Sequence, residues 1–178
     1  PAGYNSNVPK KLTGSAVAII DKIDLLVGFF GIDEKPTSSK DPFALRRNAI
    51  GLLRIIIENK INIQLKDLIN YSVVTYEQQN IKFTNNSTVK DILFFLKERF
   101  KNLLKDKKIR NDIIEAVDAT HSSDNFLSLY KKCSTINKNI SKDVCKNIIS
   151  AYKRASNILD QEMKSKMIDI IGQPESFL

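Results

Sequence analysis

The chain is poor in the residues that build polar active sites. Its 178 residues include one histidine, His121, two cysteines and no tryptophan. Zinc sites, HD-type phosphohydrolase sites and Ser-His-Asp triads all need imidazole, and most metal sites need more than one such ligand. His121 lies in "DATHSSDNF", which reads as a helix end followed by a new N-cap, so a polar loop histidine is expected. Cys133 and Cys145 have neither CxxC spacing nor a cysteine-rich framework, and are read as reduced thiols of a cytosolic protein. No signal peptide is read at the start, and the longest unbroken apolar run, residues 25–32, is far too short to cross a bilayer. P-loop, GxGxxG, GxSxG and HExxH motifs are absent, as is any tract of aromatics interleaved with basic residues. No catalytic or metal-binding residue is assigned.

Hydrophobic residues make up 42% of the chain, enough for one domain, or one plus part of a second, with a real core. A formal charge of +8 favours an anionic partner such as RNA, DNA or a membrane surface. Lysine, asparagine and isoleucine are abundant throughout, however, which an AT-rich coding sequence also produces. The pattern predicts an all-α fold. An irregular lead-in, residues 1–13, precedes a strongly apolar helix over 14–30 and a loop over 31–40. Asp41 then offers an N-cap and Pro42 an N1 residue for a helix to about Asn59. Further helices are expected from near Asn62, from Ser87 or Thr88, over 108–119 and over 123–133. A long amphipathic helix over 141–160 and a last one to Ile171 complete the set. The β-branched run "RIIIENKINIQL" competes as a strand, but no hairpin turn chemistry accompanies it.

Wheel arithmetic gives the first helix an apolar face of Ala16, Ile19, Ile23, Leu26 and Phe30, with Val17, Asp21, Asp24 and Gly28 on a second stripe. Two carboxylates three residues apart suit an acid/base pair or metal ligands, or else they pair with cations of the next helix. That next helix is apolar over more than half its circumference. Arg47, Arg54 and Glu58 form a narrow polar seam on it, and Arg46 falls within the apolar arc beside Ile50, Leu53 and Ile57. A buried guanidinium needs an anion, so Asp21 and Asp24 are the expected partners of Arg46, Arg47 and Arg54. Lys142, Lys146 and Lys153 line one edge of the late helix, and "KDKKIR" adds Lys107, Lys108 and Arg110. These six are candidate RNA contacts or a solvated face.

The run "KDPFALRR", preceded by "DKxDxLVGFFGI" and followed by "GLLRIIIEN", resembles the beta subunit of the bacterial heterotetrameric glycyl-tRNA synthetase. "AYKRASNIL" and the opening "VPKKLTGSAVAI" look like further blocks of that family. Ser38 stands where the family usually has glycine, and Leu25 where it often has threonine. The resemblance implies a multi-helix, HD-like helical domain lacking a complete HD metal site. Asp21 matches the last aspartate of such a site, while its imidazoles would lie before Pro1. Expected boundaries are 1–120 for the HD-like region and 121–178 for the helical segment after it, or one continuous domain.

The resemblance also implies a fragment that supports ATP-dependent attachment of glycine to tRNA(Gly) without an active site of its own. ATP and Mg are used by the intact synthetase, and no cofactor is expected in this fragment. The implied partners are the alpha subunit and tRNA(Gly), with neither DNA nor membrane, in the cytoplasm. The alternatives are a scaffold that docks the alpha subunit, and a residual HD-type phosphohydrolase.

Overall fold

The structure is a computed structural model that describes residues 7–37, 39–120 and 124–171, with side chains through residue 164. Ser38 and the expected loop histidine, His121, lie outside the described residues. The described chain is helical, with α1 (Leu12–Gly31), α2 (Leu45–Glu58), α3 (Leu65–Gln78), α4 (Thr88–Asp106), α5 (Asn111–Thr120), α6 (Phe126–Asn139) and α7 (Asp143–Ile171), and no strand appears among those residues. It divides into one unit, Pro1–Thr135, and another, Ile136–Leu178.

In the first unit α1 packs against α2, α3 and α4, while α4 also packs against α2, α3 and α5. α2 is the most enclosed element. Leu52, Leu53 and Ile55 are fully buried and Ile56 and Ile57 nearly so, so the helix is surrounded on most sides. That burial answers the strand alternative. Each large aliphatic side chain removed from water contributes about 1.5–3 kcal/mol, which outweighs the few tenths of helix propensity lost by β-branching. On α1 the core face holds Ile19, Ile23, Leu26 and Phe30, as the wheel predicts, joined by Val27, which it does not, and Ser15 rather than Ala16 is buried at its start. The Ser15 hydroxyl is satisfied there by the Pro9 carbonyl at 2.9 Å, and it accepts from Asn59 Nδ2 at 3.0 Å. Asn59, the last residue of "IIIEN", thereby ties the end of α2 to the start of α1.

The start of α2 differs from the predicted one. Residues 42–44 form a turn and the helix begins at Leu45, three residues later than Asp41–Pro42 would give. Asp41 nevertheless caps it, because its carboxylate accepts from the Leu45 and Arg46 backbone N–H groups at 2.8 and 3.0 Å. The delay lets Phe43 fold back and stack on Phe29 at 4.0 Å between ring centres. It puts Ala44 in the left-handed region, at φ 53°.

Helices α1 to α4 all end the same way. Asp33, Lys60, Asn80 and Lys108 each take positive φ, from 54° to 63°. The N–H three residues past each helix reaches back five residues: Glu34 to Phe29, Ile61 to Ile56, Ile81 to Tyr76 and Ile109 to Leu104, at 2.9–3.1 Å. These are Schellman ends built without glycine. A left-handed L-residue costs roughly 1–2 kcal/mol, and glycine returns about 0.4–1 of that through the freer unfolded chain. Lys60→Gly is therefore expected to stabilise the fold by about 0.5–1 kcal/mol, read as a raised urea midpoint at unchanged slope.

The two glycines of "GFFG" serve close approach rather than turning. A Cβ on Gly28 would stand 2.8 Å from the Tyr76 hydroxyl, and one on Gly31 only 2.3 Å from the Phe83 ring. The Gly31 carbonyl also accepts from the Thr84 and Asn85 N–H groups at 2.9 and 3.0 Å. The α3–α4 connection is thus docked on the end of α1.

α7 is one helix of 29 residues where two were expected. Within the second unit its side chains are exposed along most of its described length, including Val144, Ile148 and Tyr152. No helix among the described residues is long and apolar enough to cross a membrane.

Candidate nucleic-acid interface

Two of the three α2 guanidiniums, those of Arg46 and Arg54, lie against carboxylates other than Asp21 and Asp24. Arg46 donates to the Thr37 carbonyl and lies 4.0 Å from Asp41, while Arg54 Nε donates to Glu58 at 2.8 Å, one turn along. Arg47 is exposed. Asp21 points outward with 72% of its side chain exposed, and its closest cation is the neighbouring Lys22 at 3.9 Å. Asp24 turns to α3, where Ser72 Oγ and Tyr76 OH donate to it at 3.4 and 3.3 Å. The geometry explains the difference. α2 touches α1 on the side of Ser15 and Lys22, as the Asn59 and Asn48 side chains show. Asp24 follows Lys22 by two residues, about 200° around the helix, and so faces α3 instead. Burial and the Asp24 charge raise the Tyr76 phenol above its ordinary value, which keeps it a donor.

A second polar cluster fixes the loop between α1 and α2. Lys35 reaches Asp33 at 2.6 Å and Asp91 at 2.8 Å, and Asn85 Nδ2 donates to Asp91 at 3.0 Å. Hydrogen bonds from Lys35 and Asn85 hold the Asp91 carboxyl below its ordinary range, and hydrogen bonds to Asp33 and Asp91 hold Lys35 above its own. The Asp91 contribution is accordingly full above the unfolded carboxylate pKa of about 3.9 and is lost as pH falls through the lower folded value. The Lys35 contribution persists below about pH 10.4 and is lost as pH rises through its raised folded value. Asp91→Asn is expected to lower the urea midpoint at neutral pH, and the gap from the unsubstituted protein should close in strong acid. A gap independent of pH would contradict this.

The six candidate RNA contacts are all exposed, in two groups. Lys107, Lys108 and Arg110 follow α4. There Lys107 sits over the Tyr130 ring at 5.9 Å and Arg110 forks onto Asp112 at 2.6 and 3.1 Å. Lys142, Lys146 and Lys153 belong to the second unit, where Lys146 meets Asp143 at 3.2 Å. Burial raises the Cys133 thiol above its usual value, and both cysteines are free. Among the described residues no group of three or more histidine, cysteine, aspartate or glutamate side chains could hold a metal ion.

Sequence reasoning missed a groove of about 550 Å³ along α3 and α4, lined by Lys66, Asn70, Lys90, Phe94, Lys97 and Asp124 among others. A signal for it was present. Lys90, Phe94 and Lys97 recur at i, i+4 and i+7, one face of a helix. Of the adjacent Phe94 and Phe95, only one can face the core.

Helices that bury their arginine-bearing segment and carry spare cations outside define an all-α segment with charged faces. The family described as glycyl-tRNA synthetase beta subunit matches residues 1–119, and the chain belongs to it. The glycine–tRNA ligase beta subunits of Rhodospirillum centenum and Rickettsia canadensis are 39% and 40% identical over 173 and 169 residues, 97% and 95% of the chain. That of Ruegeria sp. is 37% identical over 161 residues, 90% of the chain. The chain spans 24%, 24% and 22% of these relatives' own lengths, about a quarter.

Proposed function

We propose that the chain works as a non-catalytic helical segment of a glycine–tRNA ligase beta subunit. It supports ATP-dependent attachment of glycine to tRNA(Gly) through tRNA recognition and assembly with the alpha subunit. The observation that carries this is the 37–40% identity, over nine-tenths or more of the chain, to proteins named glycine–tRNA ligase beta subunit. In this reading the first unit is the HD-like helical region, and ATP and Mg are bound elsewhere in the synthetase. The exposed Lys142, Lys146 and Lys153, with Lys107, Lys108 and Arg110, suit contacts to RNA backbone and shape rather than to base sequence.

A scaffold role is favoured by one different observation, the exposed apolar side chains of α7. Glycylation assays with the alpha subunit and a beta subunit carrying Lys142→Glu, Lys146→Glu and Lys153→Glu separate the two. Weaker tRNA(Gly) binding with a flatter salt dependence supports recognition by α7. Unchanged tRNA affinity with lost subunit association supports the scaffold, and no change in either removes these lysines from both roles.

A further inference from the structure

The groove along α3 and α4 combines charge and an aromatic surface that the fold itself does not use. Lys66 and Lys90 lie in the first turns of α3 and α4, where the helix dipole disfavours a cation. Lys97 follows Lys90 by seven residues, about two turns along α4. No described residue forms an ion pair or hydrogen bond with the ammonium group of any of the three. Asp124 also lines the groove, and its Oδ2 accepts from the Lys66 backbone N–H at 2.7 Å. Asp91, beside Lys90, is turned to Lys35 and Asn85. Asp67, in the first turn of α3, is exposed and is the remaining acidic neighbour of Lys66.

Between Lys90 and Lys97 stands Phe94, 67% exposed. Its neighbour Phe95 takes the inner position against Phe30 at 5.2 Å between ring centres. A large aromatic left in water between two unpaired cations, with the Asn70 amide across the groove, matches a ligand with a flat face flanked by negative charges. A nucleotide in an unpaired strand has that form. Its base stacks on an aromatic ring while phosphates on either side meet lysines. An acidic peptide would satisfy the lysines without requiring the exposed ring.

We infer that this groove holds an unpaired nucleotide of RNA, its base on Phe94 and its flanking phosphates on Lys66, Lys90 and Lys97. The inference rests on the reading that the segment recognises tRNA, and assigns that recognition a specific surface. The test measures fluorescence anisotropy of the full chain with three probes, a single-stranded uridine dodecamer, a paired RNA duplex of the same length and tRNA(Gly), over a range of salt, with polyglutamate as competitor. Phe94→Ala, at an exposed position, should leave melting unchanged, weaken dodecamer binding about tenfold or more and leave duplex binding as it was. Lys90→Gln with Lys97→Gln should flatten the logarithmic salt slope for the dodecamer by about 1.4. Dodecamer binding that Phe94→Ala leaves intact overturns the groove alone. Failure of the unsubstituted protein to bind either RNA, or tRNA(Gly), overturns the recognition reading with it. Polyglutamate competing fully for the groove, with no dependence on Phe94, would assign it to an acidic protein partner instead.

Discussion

Gly31→Ala should destabilise the first unit by about 3 kcal/mol, although alanine is the better helix former by about 1 kcal/mol. The clash decides the sign. The added Cβ would stand 2.3 Å from one Phe83 ring atom and 2.7 Å from Cγ, near the root of the side chain, so the ring cannot swing clear at its tip. Phe83 is also held in place. It packs on Tyr76 at 5.3 Å between ring centres, and the residues after it are bonded to the Gly31 carbonyl and, through Asn85, to Phe30 and Asp91. Relief therefore means moving the α3–α4 connection away from α1 and breaking those bonds. Urea unfolding should show the loss, and Gly31→Ala combined with Phe83→Ala should restore part of it, since the two positions are in contact. A loss below about 1 kcal/mol, or no coupling with Phe83, would mean that the ring yields without moving the loop.

Leu52→Ala should cost about 2–5 kcal/mol, whereas Arg47→Ala on the same helix should change stability by no more than about 0.5 kcal/mol. Leu52 is fully buried in α2, which meets both α1 and α4, so its truncation leaves a cavity in the core. Arg47 is exposed. The contrast, measured by thermal or urea unfolding, asks whether the arginine-bearing segment is core. Similar small effects at both positions would contradict its enclosure.

Helix positions were legible wherever apolar periodicity was strong, and they carried most of the first unit's core. Misread features have local causes. Asp41 is a capping residue in both readings, but a carboxylate can reach the same N–H groups from a residue further back when a turn intervenes. Phe43 stacking on Phe29 rewards that turn. Arg46 turns to its own lead-in and Arg54 bonds to Glu58 on its own helix, while α1 presents Asp21 and Asp24 to solvent and to α3. A wheel gives the face of each helix, not which neighbour covers it. The groove was hidden for the same reason. The spacing sets Lys90 and Lys97 beside Phe94 on α4, but Lys66 comes from α3, and only packing of the two helices makes a groove of them.

The glycine-free helix ends carry a consequence in temperature. Asparagine and aspartate adopt the left-handed region with comparative ease, so Asn80 and Asp33 give up little. Lys60 and Lys108 have no such side-chain help. At about 2–4 °C per kcal/mol for a chain of this size, glycine at both lysines would raise the melting temperature by roughly 4 °C. The protein thus holds unused thermal margin at two solvent-facing turns, reachable without touching its core.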